Sequence, residues 1–244
     1  MNRNDEHLIF EQLQLFDGYL SFPNNTGFVT VISHMDMEIC LEQHPNWPQI
    51  RNQAPLLIYD CPQFIEQVDL SDYFCAQSQS KAELDHISRA LNGAERFDGN
   101  PQSRSYRLIV YSVTNPTLPI AFSSFDLALT EAVEQESDNT DINLIGLECD
   151  FLYAYVIEEY RNMGYGAILG MMMGSLYWQQ IHYIWQSIKD SETALVPLIK
   201  SEDFTRGGQD IIRTVLRELK IFSQAQHQQG PIHHLRPPTI ISAK

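Results

Sequence analysis

The sequence predicts an α+β protein built on a central mixed sheet that is flanked by helices. Two pairs of β-rich runs, at residues 18–32 and 106–125, precede a long apolar strand at residues 142–157. That strand continues through a glycine turn into a long helix with apolar residues at near-helical spacing, and a strand, a helix and a closing strand follow. Elements in this order are typical of an α+β fold.

The composition limits the function classes. The 244 residues, 43% of them hydrophobic, suffice for one large domain or for one domain with an extension. A net charge of −15 with only five lysines disfavours a nucleic-acid partner, because binding to phosphates needs many Lys and Arg contacts. A neutral or cationic small substrate fits this charge better, although acidic surface also serves solubility alone.

The cysteines and the N-terminus indicate a cytoplasmic protein. Cys40, Cys61, Cys75 and Cys149 are widely spaced and form no metal or redox motif, so we expect reduced thiols. The first residues lack the pattern of a signal peptide, and the longest apolar stretch, residues 167–178, is too short to span a bilayer. We therefore expect no membrane association.

The chain divides into an N-terminal extension, residues 1–53, and a main domain, residues 54–244. The extension holds a short amphipathic start at residues 8–16 and a hairpin around residues 23–27, which serves either as a lid or as a homodimer contact. The main domain opens with a strand at residues 55–59 and helices at residues 62–74 and 80–91. Ser80 is the expected N-cap of the second helix, with Glu83 three residues later.

The second half of the chain gives clearer patterns. We expect a hairpin of residues 106–113 and 118–125, an acidic loop at residues 130–141, and a strand at residues 142–157 that is broken or bulged near Gly146. The three methionines at residues 171–173 are expected to fill the core. A strand at residues 194–199, a helix at residues 209–222, and a strand pair at residues 232–241 that Pro237 and Pro238 interrupt complete the chain.

The turn between the long strand and the long helix is the candidate functional segment. Gly164 and Gly166 allow backbone N–H groups to point toward one place, and the positive end of the following helix adds to them. The segment is therefore suited to an anion, with a phosphate-bearing cofactor as the natural ligand. The alternative is a tight connection whose glycines serve only close packing.

Residues 150–169 resemble the acetyl-CoA-binding core of the GNAT superfamily of N-acetyltransferases. The signature of that family, Gln/Arg-x-x-Gly-x-Gly/Ala, is matched by Arg161, Gly164 and Gly166. The order of elements across residues 54–244 follows the family more loosely. The resemblance implies a mostly antiparallel mixed sheet, acetyl-CoA as co-substrate, no metal, and transfer of an acetyl group to the amine of a small molecule or peptide.

The resemblance also implies where the cofactor lies. The pyrophosphate would be received by the backbone amides of Arg161, Asn162, Met163, Gly164, Tyr165, Gly166 and Ala167. Arg161 would add positive charge there, so Glu158 and Glu159 must point away. The long strand would part from its neighbour, and the backbone of Ala154, Tyr155 and Val156 would pair with the pantetheine arm like an added strand. The thioester would lie between the two parting strands.

The catalytic groups follow from the same comparison. A general-base carboxylate in several members lies eleven residues before the Arg or Gln of the signature, and that position is Asp150. Glu148 lies on the same face of the strand, so either carboxylate can act, directly or through water. The alternative is that Asp150 is simply paired with a cation or with solvent.

One departure concerns the general acid. Many members carry a tyrosine on the last long helix, whereas no tyrosine follows Tyr183 in this chain. Ser201 or Ser223 can replace it, the thiolate can leave unassisted, or the protein is inactive. The last case corresponds to a non-catalytic acyl-CoA-binding or interaction module, and a third hypothesis is a partner-binding protein dominated by residues 1–53.

Two further segments are weaker candidates for a binding role. His233 and His234 are adjacent, so in a strand they face opposite ways, and no third ligand has useful spacing for a metal. The acidic loop either lines a substrate entrance that favours cationic amines or is plain solvated surface.

Overall fold

The computed structural model describes residues 9–15, 57–59, 69–92, 100–111, 119–131, 143–201, 206–229 and 234–242. The hairpin predicted around residues 23–27, most of the acidic loop, and the first half of the helix predicted at residues 62–74 lie outside these ranges, as do Cys40, Cys61 and His233.

Within these ranges six strands form one mixed sheet whose spatial order equals the chain order. The strands β1 to β4 are antiparallel neighbours, whereas β4–β5 and β5–β6 are parallel pairs. The predicted α+β class with a mixed sheet and flanking helices is therefore confirmed. The elements are β1 (Leu57–Tyr59), α1 (Leu70–Gln77), α2 (Lys81–Asn92), β2 (Ser103–Tyr111), β3 (Pro119–Glu131), β4 (Asn143–Val156), a 3₁₀ turn (Glu158–Tyr160), α3 (Tyr165–Ile188), β5 (Thr193–Ser201), α4 (Arg206–Gln229) and β6 (Thr239–Ser242).

The larger core lies between the sheet and the helices α3 and α4. Met171, Met172 and Met173 are almost fully buried, which confirms that they fill the core. The face of α4 that meets α3 carries apolar residues at helical spacing, namely Ile211, Ile212, Val215 and Leu219. Leu13 and Leu15 belong to the same core, so residues 9–15 pack on the main domain. In the described ranges no helix is long and apolar enough to cross a membrane.

The helices α1 and α2 cover the opposite face of the sheet. Phe74 anchors them, because its ring packs 4.8 Å from that of Phe122 and 5.9 Å from that of Tyr155. Ser80 caps α2 as predicted, with its Oγ accepting from the backbone N–H of Glu83 at 3.5 Å. The Glu83 carboxylate points elsewhere and accepts from the Ser78 hydroxyl at 2.7 Å.

The bulge in β4 lies at Leu152, so the prediction of a break near Gly146 was wrong. Tyr153 pairs with Ser124 and Phe151 pairs with Phe125, which leaves Leu152 as the extra residue. Gly146 instead pairs regularly with Thr130 and Val196. An added Cβ there would meet the Thr130 hydroxyl and would lie 2.8 Å from Leu198 Cδ1, so this glycine serves close packing.

The bulge changes which face each β4 side chain occupies. Leu147, Cys149 and Phe151 belong to the core under α3 and α4. Beyond Leu152 the odd-numbered Tyr153 and Tyr155 belong instead to the cluster under α1 and α2. Since strand residues alternate, Glu148 and Asp150 lie on that same α1/α2 face.

The end of the chain differs from the predicted strand pair. The structure describes a single strand there, β6, which begins after Pro237 and Pro238 and pairs with β5 in parallel. Before the prolines, Leu235 forms an isolated bridge with Leu195, and His234 adopts a positive φ of 66°.

Candidate functional site

The strands β4 and β5 stop pairing in the middle of β4, at a place that we call the fork. Their pairing runs from Asn143 with Thr193 to Asp150 with Lys200. The strand β4 continues to Val156, where it still pairs with Ala121 of β3. In the described part of the chain β5 ends at Ser201, so residues 151–156 of β4 have a strand on one side only. Ala154, Tyr155 and Val156 lie on this edge.

The turn after β4 leads directly to the N-terminus of α3. Asn162 and Gly164 both have positive φ values, 65° and 93°, a conformation that glycine adopts freely and asparagine tolerates. No side chain caps α3, and its first turn carries no acidic residue. Because the first amides of a helix have no partner within it, this N-terminus offers donors and a positive dipole end to an anion.

The glycines of α3 differ in how closely α4 approaches them. A Cβ added at Gly166 would meet only Ile211 Cγ1, at an ordinary contact distance of 3.9 Å, so close packing does not require this glycine. A Cβ at Gly170 would lie 2.9 Å from Thr214 Cβ, and one at Gly174 would lie 2.8 Å from Glu218 Cβ. These two residues let α3 and α4 approach, a role that their four-residue spacing in the sequence indicates.

Arg161 turns back toward β4 and α2. Its Nε donates to the Val156 carbonyl oxygen at 3.0 Å, and its Nη2 lies 3.3 Å from Glu83 Oε1. The guanidinium also lies 5.4 Å from the centre of the Tyr155 ring. The charge that the resemblance places at the phosphate is therefore partly compensated by Glu83, and the Val156 carbonyl is already engaged. Glu158 and Glu159 are exposed.

The two candidate catalytic carboxylates share one lysine. Lys200 Nζ lies 3.1 Å from Asp150 Oδ2 and 3.8 Å from Glu148 Oε1. The side chains are 29% exposed for Lys200, 23% for Asp150 and 25% for Glu148, so solvent reaches the group. Pairing of Asp150 with a cation, the alternative to a base role, is thus present. Sequence reasoning missed Lys200, which directly follows the strand predicted at residues 194–199.

A third carboxylate strengthens the negative potential here. Asp126 of β3 is in register with Asp150 and is only 5% exposed. Burial raises the pKa of the Cys149 thiol well above its usual value, and the charges of Asp150, Asp126 and Glu148 raise it further. The charges of the three carboxylates therefore act together on the Cys149 thiol.

Aromatic side chains lie between the carboxylates and the turn. The ring of His86 stacks on that of Tyr153 at 5.3 Å, and the Tyr155 hydroxyl donates to the Gln77 carbonyl at 3.3 Å. Burial raises the pKa of Tyr153 to about 12, with a further increase from Glu83. The phenol of Tyr153 is therefore protonated at neutral pH. Neither Tyr153 nor His86 was expected at the site.

The position of the missing tyrosine is occupied by packing residues. Phe222 of α4 stacks on Trp178 of α3, with the rings 6.0 Å apart and nearly parallel. Ser223 follows it half-buried on α4, and Ser201 is the last residue of β5. Within the described ranges, no group of three His, Cys, Asp or Glu residues is placed to hold a metal ion.

Comparisons of this chain with models of known protein families, with characterised proteins and with solved structures found no match. The resemblance to the GNAT superfamily therefore rests on the residues of the signature and on their order in the sequence.

Proposed function

We propose that this protein is an acetyl-CoA-dependent N-acetyltransferase that acts on a small or cationic amine. The observation that carries the proposal is the end of the β4–β5 pairing at Asp150, after which residues 151–156 have a described strand on one side only and lead to the uncapped N-terminus of α3. The open edge of β4 suits an extended arm, and the helix N-terminus suits a diphosphate. A single ligand that carries both an extended arm and a diphosphate would bind to the edge of β4 and to the helix N-terminus together.

The residues of the turn fit the cofactor in one further respect. Gly166 lies in the first turn of α3, and neighbouring side chains leave room around it. A bulky phosphate group can therefore approach the amides of residues 165–167. The exposed positions of Glu158 and Glu159 agree with the requirement that these carboxylates point away from it.

The carboxylates beside the strand fork support an amine substrate. Asp126, Glu148 and Asp150 attract a cationic amine, and Asp150 or Glu148 then removes the proton that the amine must lose before it attacks. Holding the neutral amine against the thioester supplies much of the remaining rate enhancement.

The cofactor proposal is tested by calorimetric titration with acetyl-CoA. We expect binding to the wild type and a loss of roughly tenfold or more, about 1.4 kcal/mol, in Gly166→Leu, because a bulky side chain narrows the approach to the amides. The matched control is Gly166→Ala, which the family signature admits and whose methyl group meets only Ile211 Cγ1 at 3.9 Å, so affinity should not change. Absence of binding, or equal affinity in wild type and Gly166→Leu, contradicts the proposal.

The transferase proposal is tested by thiol release from acetyl-CoA in the presence of polyamines, aminoglycosides, amino acids and lysine peptides. We expect turnover with the cationic members of this panel. The lack of a tyrosine after Tyr183 favours one rival, a non-catalytic acyl-CoA-binding module. That rival predicts tight binding of acetyl-CoA with no thiol release for any amine.

A further inference from the structure

Lys200 lies at the fork, where the pairing of β4 with β5 ends. It forms the last register pair of β5 with β4, opposite Asp150, and its ammonium lies 3.1 Å from Asp150 Oδ2. An acid and a base therefore stand side by side at the fork, both partly exposed to solvent. The candidate chemistry described above uses the base and leaves the ammonium without a role.

We propose that Lys200 is the general acid of the reaction and donates its proton to the departing thiolate. This inference rests on the proposed acetyltransferase function. The proton donor, which many family members carry as a tyrosine on the last long helix, is here assigned to a lysine on β5 that no motif identifies.

The proton transfers balance over one cycle. The amine nitrogen attacks the thioester carbon, its N–C bond forms, and its proton passes to Asp150 Oδ2. The C–S bond then breaks, sulfur keeps the electron pair, and the thiolate takes a proton from Lys200 Nζ. Asp150 is now protonated and Lys200 is neutral, and their 3.1 Å contact lets the proton return from Asp150 to Lys200. A cationic amine gives its first proton to solvent by way of Glu148 before it attacks, so the net products are an amide, a thiol and one released proton.

The chemistry of lysine suits this role. Its ammonium carries three N–H donors on a flexible stem, so one of them can turn toward a bound thioester while the pairing with Asp150 remains. Glu148, at 3.8 Å, is a second carboxylate that this cation can contact.

Two tyrosines near the fork are less suitable donors. The Tyr177 hydroxyl is buried and already donates to the carbonyl groups of β4 and β5. The pKa of Tyr153, raised by burial to about 12, makes that phenol a weaker acid than an ordinary tyrosine.

The first test does not need turnover. Free CoA is bound to the wild type and to Lys200→Met, and its thiol is titrated by the ultraviolet absorbance of the thiolate. An ammonium within reach of the sulfur should lower the thiol pKa, so we expect a value about one to three units higher in Lys200→Met. Lys220→Met, an exposed change on α4, is the matched control and should behave like the wild type. Equal thiol pKa values in the wild type and Lys200→Met overturn the inference.

The second test separates proton donation from charge and structure. Turnover of acetyl-CoA should fall by roughly 10²–10⁴-fold both in Lys200→Met and in Lys200→Arg, because the guanidinium keeps the charge and the pairing but does not release a proton. The loss should be much smaller with S-(4-nitrophenyl) thioacetate, whose aromatic thiolate leaves without protonation. Full activity of Lys200→Arg, or equal losses with both thioesters, contradicts a role as proton donor.

The outcomes also separate this inference from the function on which it rests. Absence of CoA binding, or binding without turnover of any amine by the wild type, overturns both. Turnover by the wild type with an unchanged rate in Lys200→Met overturns the role of Lys200 alone. Urea unfolding of each variant confirms that a lost rate does not reflect a lost fold.

Discussion

The Tyr177 hydroxyl lies 2.6 Å from the Leu147 carbonyl oxygen, so a buried side chain of α3 reaches into the sheet and bonds to β4. The same hydroxyl lies 3.1 Å from the carbonyl oxygen of Leu198 on β5. Tyr177 thus ties α3 to both parallel strands, a few residues before their pairing ends at Asp150 and Lys200.

Removing this hydroxyl should destabilise the protein. In Tyr177→Phe the two buried carbonyl groups lose a donor, so we expect the free energy of unfolding to fall by about 1–3 kcal/mol. Urea denaturation measures the change. Tyr183→Phe is the control, because Tyr183 is exposed and its loss should cost less than about 0.5 kcal/mol. Equal stability of Tyr177→Phe and the wild type would show that the hydroxyl does not stabilise the fork.

Replacing the glycines of α3 by alanine should change the free energy of unfolding differently at each position. Gly170→Ala and Gly174→Ala place a methyl group within 3 Å of α4, and we expect each to lower the free energy of unfolding by about 1–3 kcal/mol. Gly166→Ala meets no such contact and should leave stability unchanged or raise it by up to about 1 kcal/mol, because alanine favours the helix. Thermal unfolding of the three variants in parallel makes the comparison. A uniform loss across all three would contradict the packing described here.

Glu83 should weaken the binding of an anion near the turn. Its carboxylate pairs with Arg161, and both side chains are partly exposed, so Glu83→Gln should change stability by less than about 1 kcal/mol. Without this negative charge we expect acetyl-CoA to bind roughly two- to fivefold more tightly, about 0.4–1 kcal/mol. Titration calorimetry at low and high salt measures the gain, which screening should reduce. Weaker binding in Glu83→Gln would mean that the pair itself positions the site.

Alkaline pH should destabilise the protein through its tyrosines. Burial raises the pKa values of Tyr153 and Tyr165 from 10.0 to about 12 in the folded state. Their contribution to stability is therefore fully present below pH 10.0 and is lost as the pH rises toward about 12, because the unfolded chain releases these protons first. Urea midpoints across this range should fall, and Tyr153→Phe should flatten the decline. A constant midpoint up to pH 12 would contradict the burial of these phenols.

Local patterns predicted the parts of the fold that local physics determines. The N-cap at Ser80 and the methionines inside α3 follow from capping chemistry and from helical spacing, and both were confirmed. The bulge was placed at the wrong residue because a glycine in a strand serves a bulge or close packing equally well. Only the pairing with Thr130 and Val196 distinguishes the two cases at Gly146.

The ion pair of the candidate site joins residues that lie far apart in the sequence. Asp150 and Lys200 are 50 residues apart, and they meet because β4 and β5 pair in parallel in one particular register. The helix α3 contacts both strands through Tyr177, and the register leaves no mark in the sequence near either residue. The carboxylates were therefore predicted as candidates, whereas the lysine that accompanies them was not.

The extra residue at Leu152 decides which face each side chain at the end of β4 occupies. If Leu152 instead took a regular pairing position, the alternation of the strand would continue, and Tyr153 and Tyr155 would turn into the methionine-rich core while Ala154 and Val156 turned toward α2. Deletion of Leu152 would place Phe151 and Tyr153 next to each other, still opposite Phe125 and Ser124, and would keep every face as it is. Deletion of a regularly paired residue such as Ala154 would exchange the faces of the residues after it, so the strand end should tolerate the loss of Leu152 better than the loss of its neighbours.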